Sequence, residues 1–234
     1  MTDFSTFNRD AMRTIAQEVF REARESRVRR GQIPGTVQPF TRNSVQFRNT
    51  SGEAIPAYAV MRVTGAEIKN GLPIITVAKP STTFQRLYLV NGPMRVGSAS
   101  TARGVGTWLD DEPGMILYDT GNTPAYGESW GPQDGTWTIK KYRYGFTIIG
   151  ATTGSGATSR VVAKQHEVNA VYGQTNGTHT KGSATTIDLY DGNNAAITST
   201  SITATNRFAT VATAKKVLCT WIGGTWISDA GECA

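Results

Sequence analysis

Two histidines, His166 and His179, are the chain's natural candidates for acid–base or metal chemistry. Neither has a cysteine or carboxylate at metal-ligand spacing except Glu167. That residue is adjacent to His166 and points to the opposite side if a strand starts at Val168. Both histidines read as solvent-exposed loop residues. Gly104 and Gly106 form a glycine pair, but no lysine or helix start follows to make a phosphate loop, so they read as a turn. Gly154-Ser155-Gly156 is too short for a nucleophile elbow. Asp110, Asp111 and Glu112, just before Pro113-Gly114, read as an exposed acidic turn. With Asp119 they offer oxygens of the kind calcium takes, but without EF-hand spacing. Trp108, Trp130 and Trp137, with Tyr142 and Tyr144, cluster among turns. Tryptophans so placed can stack on sugar rings; the alternative is that they pack in the core. Cys219 and Cys233 amount to neither a disulfide framework nor a zinc site, and two free thiols are expected. No catalytic residue, metal or cofactor is nominated, and the chain is expected to be non-enzymatic.

These residues sit in a chain of 234 residues that is 18% charged and carries 25 glycines, a balance that suits a β protein with many turns. The net charge of +6 permits an acidic partner. Nucleic acid is not the expected one, because no recognition motif accompanies the charge. Arg9, Arg13, Arg21, Arg24, Arg27, Arg29 and Arg30 all precede Gly31, so the excess is not one large basic face. The N-terminus carries Asp3 and no apolar signal segment, and no apolar run approaches the roughly 18 residues of a membrane span. The expectation is a soluble chain made in a reducing bacterial cytoplasm, with no membrane partner.

Residues 5–30 show helical periodicity. Phe4, Phe7, Ala11, Ile15, Val19 and Ala23 recur at three- and four-residue steps, and Met12 and Phe20 widen that face. Arginines crowd the C-terminal turns, where the helix dipole favours cations, and Gly31 and Pro34 stop the helix. Such a helix either covers its own β body or packs on another chain. The second reading makes residues 1–35 an anchor arm, with Phe4, Phe7, Ile15, Val19, Phe20, Arg24 and Arg27 as the assembly interface.

From Phe40 onward the grammar is short β runs separated by Gly, Asn, Asp or Pro. Val45 and Phe47 alternate with polar residues, Asn49–Gly52 turns, and Ala57–Val63 reads as the next strand. Asn70-Gly71 is a hairpin signal. Further runs are expected at 84–90, 136–139, 142–149 (ending at Gly150) and 159–164. A smaller unit is expected from His166, with strands at 168–172, 184–190, 196–205, 208–212, 216–222 and 225–228. Gly223-Gly224 makes its last hairpin and sets Trp221 against Trp226, and Cys219 against Ser228. No repeat of fixed period emerges. The predicted fold is mainly β: a helical arm over 1–35, a central β domain over 36–165 and a small C-terminal β domain over 166–234, each β unit sandwich- or barrel-like.

Three stretches, Gln46–Gly65, Gly127–Gly150 and Val217–Cys233, carry turn and strand patterns. They resemble a tail, neck or head accessory group of structural proteins encoded by tailed bacteriophages, mostly short-tailed ones. The resemblance implies a virion component, such as a tail or neck accessory or a fibre anchor. A head decoration or head-fibre protein is the alternative, and a receptor- or glycan-binding module the rival class. The implied partners are other virion proteins and copies of itself, most simply a trimer. The resemblance assigns no functional residues.

Overall fold

The computed structural model describes residues 44–69, 71–110, 112–191 and 194–231. They all fall within one compact unit, Asn43–Ala234. The expected N-terminal helix with its interface residues lies outside them, as does Cys233.

The described chain is mainly β, with fifteen strands in three five-stranded groups. The first group is β1 (Ser44–Asn49), β2 (Val60–Lys69), β3 (Leu72–Ala78), β4 (Tyr88–Asn91) and β5 (Arg103–Thr107), closed into a barrel in the order β1-β3-β2-β4-β5. The second is β6 (Gly114–Leu117), β7 (Ser129–Pro132), β8 (Ile139–Lys141), β9 (Phe146–Thr153) and β10 (Arg160–Gln165), in the order β6-β10-β9-β7-β8. A parallel bridge between Tyr118 and Ile139 brings its two edges together. The third is β11 (Ala170–Thr175), β12 (Ala184–Tyr190), β13 (Ala196–Asn206), β14 (Lys216–Ile222) and β15 (Thr225–Gly231), a closed barrel in the order β11-β12-β13-β15-β14. The region read as one central domain therefore holds two five-stranded units. The change to the third falls between Gln165 and Ala170.

The three units share one topology. In the first, strand 1 runs parallel to strand 3, and strand pairs 2–3, 2–4, 4–5 and 5–1 are antiparallel. The second repeats this with β6 to β10 in the same order. The third repeats it when β13, β14 and β15 take the places of strands 1 to 3, and β11 and β12 those of strands 4 and 5. It is a circular permutation of the other two.

Backbone hydrogen bonds support the match. At the end of strand 1, Asn49, Tyr118 and Asn206 each donate N–H to the residue just before strand 5, namely Ala102, Ser159 and Ser183 (2.9, 3.2 and 3.0 Å). Two residues before strand 2, Tyr58, Gly127 and Ala214 all take left-handed backbone angles, with φ of 62°, 80° and 61°. So the chain does repeat, though no fixed period shows it, because one copy is permuted and the loops differ in length.

Local chemistry explains most elements. Lys69 pairs with Leu72, and Gly223-Gly224 makes a two-residue hairpin that pairs Ile222 with Thr225. Gly71, Gly223 and Gly224 have positive φ, as such turns require. Trp221 faces Trp226 as expected, with ring centroids 5.3 Å apart at 70°. Gly104 and Gly106, read as a turn, lie inside β5 and pair with Phe47 and Val45. Other expectations are corrected too. The second strand begins at Val60 and runs through a bulge to Lys69, because Tyr58 is left-handed and cannot lie in a strand. Gly150 does not end its strand but forms a bulge inside β9, opposite Val162. Residues 208–212 are not a strand; Val211 makes only an isolated bridge to His179.

The joints between units are backbone-bonded. Val60 donates to Trp137 O (3.0 Å) and Leu117 to Tyr58 O (2.9 Å), tying the first unit to the second. Phe84 donates to Ser201 O (3.0 Å), and Ser201 to Thr82 O (2.8 Å), tying the first to the third. Phe84 meets aromatic rings from all three units, with centroids 6.4 Å from Tyr88, 6.2 Å from Tyr144 and 6.3 Å from Trp226. Phe84→Ala is expected to cost about 3–5 kcal/mol, as for other buried phenylalanines. It should also uncouple the units, so that urea curves followed by tryptophan fluorescence and by far-UV circular dichroism no longer coincide. Coincident curves with an unchanged midpoint would show that the ring is not the shared support.

Candidate functional site

The tryptophans proposed as a glycan platform do not form an exposed face. Trp130, on β7, is completely buried in the core of the second unit, edge-on to Tyr118 (5.9 Å, 88°). Trp137 is 9% exposed and packs with Phe47, Ile55 and Met61 in the first unit's core, where half-buried Trp108 joins it. Their indoles fill two separate cores, the packing alternative. Tyr144 reaches the third unit, where its hydroxyl donates to Tyr190 O.

Trp130 is held by Glu128. Its Nε1–H donates to Glu128 Oε2 at 3.0 Å, and the Ala125 N–H donates to the same oxygen at 3.0 Å. Lys141 Nζ lies 2.5 Å from the other carboxylate oxygen. Burial pushes the Glu128 carboxyl up, but the hydrogen bonds from Lys141, Trp130 and Ala125 outweigh it and hold it below the usual value.

The histidines separate. His166 is exposed as expected, with Nδ1 3.2 Å from Thr147 Oγ1, and partial desolvation holds its pKa below the ordinary value. His179 is not an exposed loop residue; it is completely buried. Neither of its ring nitrogens has a hydrogen-bond partner among the described residues. The repeat supplies the reason. His179 and Val211 exchange backbone hydrogen bonds (2.7 and 3.0 Å) just as Val96 and Ile55 do in the first unit (both 2.9 Å). His179 thus occupies the place of Val96, a core position. Cys219 is buried in the third core opposite Ser228, the expected register. Among the described residues, no three His, Cys, Asp or Glu side chains gather as metal ligands.

The arrangement with most chemical content lies elsewhere. A half-open recess of about 160 Å³ sits where the first and second units meet, lined by Pro56, Ala57, Tyr58, Leu117, Ala157, Thr158 and Arg160. The Arg160 guanidinium carbon lies over the Tyr58 ring, 4.9 Å from its centroid. Arg160 Nε is buried and has no hydrogen-bond partner among the described residues. Tyr58 is fixed from both sides, its N–H donating to Gly92 O (3.0 Å) and its carbonyl accepting from Leu117 N–H (2.9 Å). Tyr58 and Arg160 are far apart in sequence, and each reads locally as an ordinary strand residue. No sequence signal pairs them. The chain matches no protein-family model, no curated protein and no solved structure.

Two outcomes follow for the buried polar groups. His179→Leu is expected to stabilise the protein by about 1 kcal/mol, because it removes buried donor and acceptor groups that make no bond. A fall in the urea midpoint would show that the ring is hydrogen-bonded in solution. Glu128→Gln is expected to cost about 1 kcal/mol at pH 7. Because the folded-state pKa of Glu128 is depressed, its contribution is present above the unfolded value of about 4.3 and is lost as pH falls through the folded one. The difference between wild type and Glu128→Gln should therefore shrink as urea curves are repeated from pH 7 towards pH 3. A difference independent of pH would assign the loss to packing.

Proposed function

We propose that this chain is a non-enzymatic structural component of a tailed-bacteriophage virion. Within the particle we place it in the tail or neck, as an accessory or fibre-anchoring protein. The observation that carries this is the resemblance over Gln46–Gly65, Gly127–Gly150 and Val217–Cys233, which fall in three different units of the body. The first covers most of β1 and the start of β2, the second covers β7 and β8, and the third covers most of β14 and all of β15. Each contains part or all of the second strand, which pairs with both strand 3 and strand 4 of its unit. The build adds support. Three like units joined by backbone hydrogen bonds and shared aromatic packing suit a spacer in an assembly.

In this reading residues 1–35 are the anchor. Phe4, Phe7, Ile15, Val19 and Phe20 bury against neighbouring copies, most simply in a trimer, or against a ring protein. Arg24 and Arg27 meet acidic groups there. An isolated helix of this length is marginal in water and gains its stability from a surface that covers its apolar face. Deleting residues 1–35 is expected to leave a folded β body that no longer enters particles, checked by circular dichroism and by incorporation during phage assembly. Normal incorporation would refute the anchor, and a body that fails to fold would show that the segment belongs to its own core. Mass spectrometry of separated heads and tails tests the wider proposal. Tail or neck fractions should contain the protein; head fractions alone would move it to head decoration, and absence from the particle would end the virion reading.

A further inference from the structure

The left-handed residue before strand 2 is Gly127 in the second unit and Ala214 in the third, but Tyr58 in the first. A bulky side chain there is strained, and such strain persists where a site is built. The Tyr58 ring lies beneath Arg160, which comes from the neighbouring unit. The guanidinium is always charged, and its N–H groups donate in its own plane, so a position over a ring face does not use them up. Among the described residues it makes no ion pair, and the buried Nε–H has no acceptor. No acidic side chain lines the recess. A cation partly withdrawn from water without a counter-charge is costly, and the group that would remove the cost is an anion.

We infer that the recess between Tyr58 and Arg160 is a carboxylate-binding site, independent of the proposed place in a virion. One guanidinium offers the two parallel donors that match a carboxylate. The Thr158 hydroxyl already donates to Ser155 O at 2.8 Å, so Arg160 supplies the donors. Pro56, Ala57, Leu117 and Ala157 supply apolar walls for a methyl or methylene group behind the carboxylate. A phosphate would leave most of its oxygens against those walls. With about 160 Å³, the recess takes a group of a few heavy atoms, either a free short-chain acid or the carboxylate end of a peptide.

The test is a titration of the full ¹⁵N-labelled chain, following the Arg160 Nε–H resonance, which is assigned by its loss in Arg160→Gln. Sodium propionate is expected to move it saturably with a roughly millimolar midpoint. Sodium phosphate at equal ionic strength should have at least a tenfold weaker effect. Ala157→Leu, which fills the recess from an exposed position and keeps the arginine, should weaken propionate binding at least tenfold, whether or not Arg160→Gln folds. A peptide with a free C-terminal carboxylate that binds tighter than propionate, while its amide does not bind, assigns the site to chain termini; propionate binding alone assigns it to small acids. A resonance that does not move, that follows phosphate equally, or that titrates unchanged in Ala157→Leu overturns the site.

Discussion

Five is an odd number, and a ring of strands that alternate up and down needs an even one. Each unit therefore closes with one parallel pairing: β1 with β3, Tyr118 just past β6 with Ile139 of β8, and β13 with β15. Parallel neighbours cannot be joined by a tight hairpin. The chain must leave strand 1, cross the end of the barrel, and come back as strand 2 before the hairpin to strand 3. These crossings are residues 50–59, 118–128 and 207–215. Where such a segment turns its backbone groups inward over a barrel end, those groups need partners.

Buried side chains at strand ends are those partners in the two closed barrels. Asn49, completely buried, donates to Glu53 O (2.6 Å) and Gly97 O (2.8 Å) and accepts from Ser51 N–H (2.9 Å). Asn206 does the same in the third unit, donating to His179 O and Ala209 O (both 2.7 Å) and accepting from Phe208 N–H (2.9 Å). At the end of strand 4, Asn91 donates to Pro56 O (2.7 Å), and Thr175 donates to Ala212 O (2.8 Å). The second unit uses Tyr118 instead, whose ring packs on Trp130, and a turn in which Asp119 accepts from Gly121 N–H. The left-handed residue before strand 2 completes the device, since it turns the crossing segment down into the barrel wall.

What could be read from residue types follows from the range of the forces. Hairpins are local, so Asn70-Gly71, Gly223-Gly224 and the facing of Trp221 and Trp226 were legible. The parallel pairs are not local, and no short pattern marks them. The repeat was hidden because its shared positions hold different residues: Asn49, Tyr118 and Asn206 at one, Tyr58, Gly127 and Ala214 at another, Val96 and His179 at a third. What they share is a backbone angle or a hydrogen bond, which many side chains can satisfy. His179 reads as a loop residue from its glycine- and threonine-rich neighbours, yet the barrel end buries it. The tryptophans mislead for the same reason. Turn residues surround them in sequence, while the units fold over them in space. The Tyr58–Arg160 pair needed two units to be docked before it existed at all.

The permutation shows which links of the unit matter. Strands 5 and 1 are antiparallel neighbours in every unit, so a loop between them costs little. The third unit has that loop, between β12 and β13, and lacks a connection from strand 3 to strand 4. In the first unit, the strand 3 to strand 4 connection, residues 79–87, carries the joint: Phe84 packs on the third unit, and Arg86 stacks over Trp221 at 4.6 Å while donating to Val168 O at 3.0 Å. In the second unit the equivalent connection, residues 142–145, also reaches the third, through Tyr144. The connection omitted in the third unit is thus the one that the other two use to hold it. β11 and β15 flank β14 with no loop of their own unit between them, and from the first unit Phe84 packs on Trp226 and Arg86 on Trp221. The permuted order and the packing of the body thus meet at Trp221 and Trp226, where the first unit's strand 3 to strand 4 connection is seated.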